Sequence, residues 1–230
     1  MSIARLGRSG RNLVHAARVA ERLIREDRAV RRAAARMPKP VPWSWAGPRV
    51  LPLLSGPRLD RPGEEMLHSV AGIGCVIVFG LPLGPRFAFV DRDVAKRWEC
   101  TVAQVETAAM DNLARLAAKL QPRDAPPGTL SGRIVRILTD RPWASSLVLL
   151  PNELVRLFGH HDQVFVAPGN GTLLSLPIDM PANAIADIAV DFEMAERWPL
   201  ILDPFMLEDG VLGWCGLADD ASDRDGERGG

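Results

Sequence analysis

The stretch from Gly132 to Pro177 constrains this chain more than any other. Arg133-Ile134-Val135-Arg136-Ile137-Leu138 reads as a strand, and Trp143–Phe158 predicts a helix in one or two pieces. Pro151 is placed to open the second piece and Gly159 to end it. Gln163-Val164-Phe165-Val166-Ala167 and Thr172-Leu173-Leu174-Ser175-Leu176 then flank Pro168-Gly169-Asn170-Gly171. Glycine and asparagine supply the positive φ values that a tight hairpin needs, so these strands must pair antiparallel. The stretch carries few catalytic residue types. It specifies a fold and leaves the chemistry open.

The remaining chain extends the same pattern. Asn12–Met37 predicts a helix with Leu13, Ala17, Ala20 and Ile24 on one stripe, and Pro38, Pro40 and Pro42 stop it. Arg49–Leu54 predicts an edge strand, where Pro52 is tolerated. Gly63–His68 predicts a short helix, and Gly74–Gly80 and Arg86–Val90 predict strands. Asp91 opens a helical turn through Trp98, and Thr101-Val102-Ala103-Gln104 fits a capping box. Val102, Val105, Ala109, Leu113, Leu116 and Leu120 form the inward stripe of the helix that follows, which Pro122 ends. Arg123–Gly128 reads as a loop. Asn183–Trp198 predicts a last amphipathic helix with Ile185, Ile188, Ala189, Phe192 and Ala195 inward. Pro204–Leu207 and Val211–Cys215 predict a hairpin about Glu208-Asp209-Gly210. Paired strands separated by helices define an α+β fold, with helices packed on a mixed or antiparallel sheet.

Charge separates along a chain whose formal net charge is zero. Met1–Lys39 holds eleven Lys/Arg against three Asp/Glu, a local net of +8. Leu217–Gly230 holds five acids against two arginines, a net of −3. The expected organisation is a basic helical arm and proline-rich linker over residues 1–40, one α+β domain over 41–217, and an acidic disordered tail over 218–230. Arginine outnumbers lysine 25 to 3, a bias expected of GC-rich bacterial codons, so not every arginine marks a contact. No apolar run reaches the roughly 20 residues of a membrane span. The acids Glu21, Glu26 and Asp27 argue against a transit peptide, which gives a cytoplasmic expectation. Cys75, Cys100 and Cys215 are far apart and odd in number, as reduced structural thiols are.

Motif chemistry is sparse. His160-His161-Asp162 lacks metal-ligand spacing, since neighbours on an extended backbone point apart. Gly72-Ile73-Gly74 and Pro168–Gly171 lack the strand-to-helix context of a phosphate loop. No metal or other cofactor is therefore expected. Ser145, after Asp140 and at a helix start, is a candidate for anion or ligand contact as well as for capping. Asp187 and Asp191 lie one turn apart with Glu193 and Glu196 nearby, an acidic face that solvent or a basic partner would occupy. Arg18, Arg22 and Arg25 are the corresponding candidates on the arm. The arm lacks interleaved aromatics, which places a protein partner or a second copy of the chain ahead of nucleic acid or an anionic membrane.

With these segments in place the chain resembles the YtpQ-like bacterial family, domain of unknown function 1444. The resemblance is carried by Arg49–Leu54, by Ile73 through Phe87-Ala88-Phe89-Val90-Asp91 to Asn112-Leu113, by Asp140–Leu176, and by Ala184–Trp214 with Leu207-Glu208-Asp209-Gly210. The family's pattern has an aspartate directly before the Ala-Ser pair; here that place is Trp143, and Asp140 is the acid of the turn. The resemblance implies the fold and no activity. The expectation is a non-enzymatic binding or adaptor protein. Its alternatives are an enzyme whose Asp140, Ser145 and His68 converge only in three dimensions, and an immunity or chaperone-like protein that masks a basic partner.

Overall fold

The strands form two antiparallel sheets joined by one long helix. The computed structural model describes residues 24–55, 66–70, 75–159, 162–196, 199–200 and 202–214. The arm before residue 24, the acidic tail, His160, His161, Cys215 and Gly72-Ile73-Gly74 lie outside the described residues. The described part of the arm is helix α1, residues 24–35, and a one-turn helix α2 (Trp43–Ala46) follows the prolines.

The first sheet contains β1 (Leu51–Ser55), β2 (His68–Val70), β3 (Val76–Leu83) and β4 (Arg86–Phe89). β3 is central, with β1 along one side and β2 and β4 end to end along the other. Its apolar run is buried on both faces. Ile77, Phe79 and Leu81 pack toward Val50, Trp98, Val105 and Ala109, while Val78 packs with Leu53 and Met66. A Cβ at Gly80 would stand 2.9 Å from the Leu53 side chain and 3.0 Å from that of Phe87, so only glycine fits this crossing. His68 opens a strand rather than ending the expected helix, because the β3 edge pairs residues 68–70 as a third strand.

Asp91 caps α3 (Arg92–Arg97) by accepting from Val94 N at 2.6 Å. Thr101 caps α4 (Val102–Ala117) in the expected box: its hydroxyl accepts from Gln104 N at 3.2 Å, and Thr101 N donates to Gln104 Oε1 at 2.8 Å. The α4 stripe divides between two cores. Val105 and Ala109 join the first sheet, while Leu113 and Ala117 join the second. Val102, expected inside, is exposed because it stands in the first turn, before the helix reaches the sheet.

The second sheet orders β10 (Val211–Trp214), β9 (Phe205–Glu208), β7 (Gln163–Gly169), β8 (Thr172–Pro177), β6 (Arg133–Leu138) and β5 (Pro127–Leu130), every pair antiparallel. Pro127 and Gly128, the end of the expected loop Arg123–Gly128, instead open β5; they are admitted because the strand lies at the edge. Asp209 and Gly210 both have positive φ, 50° and 77°, which closes the last hairpin as its Asp-Gly pair predicts. One face of this sheet meets α4, α5 (Pro151–Phe158) and the 3-10 turn Ala144–Leu149 through Phe165, Leu173 and Phe205. The other face, Val135, Val164, Val166, Leu174 and Leu176, is covered by α6 (Ala182–Ala195) through Ile185 and Ile188.

Two polar anchors fix α4. Asn112 is buried, and its Nδ2 donates to Gly47 O and Val50 O, each at 2.8 Å. Arg156 on α5 donates to Leu120 O at 2.9 Å and Ala117 O at 2.8 Å, satisfying carbonyls at the α4 end. Asn112→Ala removes these two bonds and the one its Oδ1 accepts from Arg115, and leaves two buried carbonyls without this donor. Urea unfolding should show a loss of about 2–3 kcal/mol, against less than about 1 kcal/mol for an exposed control such as Asp111→Ala.

Candidate functional site

Asp140 and Ser145 end up in different environments. Asp140 is exposed with φ 62°, a left-handed turn position that aspartate tolerates. Ser145 is fully buried, and its backbone N and its Oγ donate to Asn170 O at 3.2 and 3.3 Å. Ser146, also fully buried, donates its hydroxyl to Pro52 O at 2.8 Å. The serines thus fasten the 3-10 turn to the β7–β8 tip on one side and to β1 on the other. His68 lies on the first sheet with Nδ1 3.1 Å from Met66 O. No serine–histidine–carboxylate relay runs through these groups.

A groove of about 670 Å³ opens between α5 and the last hairpin, lined by Asn152, Val155, Arg156, Asp162, Leu207, Asp209 and Gly210. Arg156 is engaged there with the α4 carbonyls and with Glu153. Asp162 accepts from Asp209 N at 3.3 Å. None of the candidates Asp140, Ser145, Asp187 or Asp191 lines this groove.

Asp187 and Asp191 come together with groups the sequence reading had not joined to them. Asp187, Val190, Asp191 and Met194 follow i, i+3, i+4 and i+7 and form the outer stripe of α6, all exposed. Val190 is 52% exposed and Met194 82%. Ala195, expected inward, is exposed as well, as the last residue of the helix. The i+3 and i+7 spacing from Asp187 was the available signal for Val190 and Met194. Glu193 is half-buried, and burial first, then the neighbouring Asp203 carboxylate, pushes its carboxyl above its usual value. Glu196, just past the helix, accepts from Thr172 Oγ1 at 2.8 Å and so ties α6 to the β7–β8 hairpin.

The electrostatics of α6 are unfavourable from within. It contains three acids and no Lys or Arg, and no acid lies in its first turn. Carboxylates in later turns oppose the negative end of the helix dipole, and like charges at i, i+4 repel. Among the described residues neither Asp187 nor Asp191 makes an ion pair. Arg25, the described member of the arm candidates, lies in α1, while Arg18 and Arg22 lie outside the described residues.

Cys75 is buried, and that burial raises its thiol to about 11; Cys100 is raised too, by burial and then by Glu99. Among the described residues no three His, Cys, Asp or Glu side chains are placed to share a metal ion, and no helix is long and apolar enough to cross a membrane. No protein-family model, curated protein or solved structure matches the chain.

Two outcomes follow from these environments. Alkylation at pH 8 mapped by mass spectrometry should leave Cys75 unmodified until denaturant is added, because its thiolate is scarce and enclosed. For Glu193 the folded state holds its proton more tightly than the unfolded chain, so stability falls as pH rises from the usual 4.5 through the raised folded value. Glu193→Gln should therefore be more stable than the parent at pH 7, with the gain disappearing in denaturation curves taken below pH 4.5.

Proposed function

We propose that this is a non-enzymatic cytoplasmic binding or adaptor protein that recognises a basic, amphipathic segment of a partner protein on the outer face of α6. The observation that carries the reading is the stripe Asp187, Val190, Asp191 and Met194, where exposed apolar atoms alternate with carboxylates that lack a cation. A partner helix bearing arginines would offset the Asp187–Asp191 repulsion and cover the valine and methionine. Methionine suits such a surface because its flexible, polarizable chain adapts to different neighbours. The acidic stripe repels nucleic acid and anionic lipid, so a protein partner fits it best.

The burial and engagement of Ser145 and Ser146 supports a binding role over a catalytic one. The buried, raised thiol of Cys75 is in keeping with a reducing compartment. An immunity or chaperone-like protein that masks a basic partner would use the same face and differ only in the identity of that partner. The resemblance to the YtpQ-like family adds no activity to this reading.

Fluorescence anisotropy with a labelled arginine-rich amphipathic peptide tests it on the full chain. Asp187→Lys/Asp191→Lys should weaken the peptide's affinity about tenfold or more at low salt, as charge reversal at a recognition surface does. Asp162→Lys, in the groove beside α5, should leave it unchanged. Equal affinities for parent and α6 variant would overturn the reading.

A further inference from the structure

We propose that the segment seated on the α6 face is the arginine-rich arm, residues 1–39, of a second copy of this chain, so that two molecules exchange arms about a twofold axis. The proposal rests on the α6 reading above and names its partner.

Three observations carry it. The arm is the one strongly basic segment of the chain, with its net of +8, while α6 holds three acids and no cation. Arg18 and Arg22 stand four residues apart, the same spacing as Asp187 and Asp191, so two antiparallel or parallel helices bring both pairs into register. Leu13, Ala17, Ala20 and Ile24 fall on the other side of such a helix, so the contact with α6 is made by the arginines.

The second observation concerns the root of the arm. Ile24, the last member of that stripe, is 53% exposed. The stripe is therefore not covered by the domain at the point where the structure first describes it. Further along, α1 does reach the body: Ala29 lies beside Gly84 at the β3–β4 turn, and Met37 packs with the first-sheet core. The described root of the arm, α1, is thus seated at the first sheet.

The third observation is where α6 lies. It covers the face of the second sheet that points away from α4 and the first sheet. An arm rooted at the first sheet must pass around the second sheet to reach its own α6. Residues 1–23 as a helix would extend only about 35 Å. The α6 of a neighbouring molecule is reached without that turn, and a symmetric pair makes the contact twice. Zero net charge removes overall repulsion between the copies.

Analytical ultracentrifugation of the full chain gives the test. The parent should sediment as a dimer that loosens about tenfold or more between about 50 and 500 mM salt. Asp187→Arg/Asp191→Arg and Arg18→Glu/Arg22→Glu should each sediment as monomers, since each places like charges together at both contacts. Mixed in equal amounts they should form a heterodimer, because the carboxylates placed at positions 18 and 22 then meet the arginines placed on α6, and the unaltered arm meets the unaltered α6. A mixture that stays monomeric, or a dimer indifferent to both reversals, overturns the proposal. The labelled basic peptide on the same samples separates the two readings. A monomeric parent that binds the peptide overturns arm exchange and leaves α6 as the recognition face. A monomeric parent that ignores it overturns both.

Discussion

The buried amide of Asn112 is the fixed point from which the rest of the molecule is positioned. It sits in α4 at the place where that helix passes from one core to the other. By donating to Gly47 O and Val50 O it holds the entry into β1 against the helix. A series of polar contacts continues from there. β1 is an edge strand, and the Pro52 carbonyl that faces away from β3 accepts from Ser146. Because the carbonyl and nitrogen of a strand residue point the same way, proline removes no ladder bond at this site. Ser145, one residue earlier, holds the β7–β8 tip through Asn170 O. Thr172 on that hairpin then meets Glu196 at the end of α6. A buried asparagine in one layer and the outer helix α6 are thereby linked through short, specific contacts.

The two cores that flank α4 differ in what they ask of their helices. Phe165, Leu173 and Phe205 are fully buried beneath α4, α5 and the 3-10 turn. On the opposite face α6 contributes only Ile185 and Ile188 as fully buried side chains, with Ala184, Ala189 and Phe192 partly covered. Burying a large aliphatic side chain contributes about 1.5–3 kcal/mol, so α6 is held by a modest apolar attachment and the Thr172–Glu196 contact. Against this work the dipole and the Asp187–Asp191 repulsion, each worth a few tenths of a kcal/mol to about 1 kcal/mol. A helix held this way gains from any cation-bearing neighbour, and that gain is available only on its outer face.

Much of the architecture was legible where local chemistry decides it. Thr101 and Gln104 dictated the start of α4, Asp209-Gly210 dictated the last turn, and the apolar run of β3 matched burial on both faces. Edge strands were harder. Pro127 and Gly128 have the composition of a loop, and only pairing with β6 makes them a strand. His68–Val70 is a strand for the same reason. Buried polar residues were the least legible. Nothing in its residue type distinguishes Asn112 from a solvated asparagine, and nothing in Ser145 separates a ligand contact from a backbone tether, because both depend on carbonyls distant in sequence. The α6 stripe was legible in part. Asp187 and Asp191 were visible as a pair, and the same helical spacing that paired them also placed Val190 and Met194 between and beyond them.

The distribution of charge carries more information than its total. A chain of zero net charge gains no solubility from self-repulsion, so the separation of its charges must be tolerated or used. Ion pairs between neighbours on one element occur elsewhere among the described residues, as in Arg31 with Asp27 and Arg156 with Glu153. α6 contains no such partner, although a lysine one turn from Asp187 or Asp191 would relieve it at no cost in packing. The dipole, the like-charge spacing and the exposure of Val190 and Met194 all disagree with the residues found there. Where levels that concur elsewhere in a fold disagree, a functional or strained site is the physical expectation.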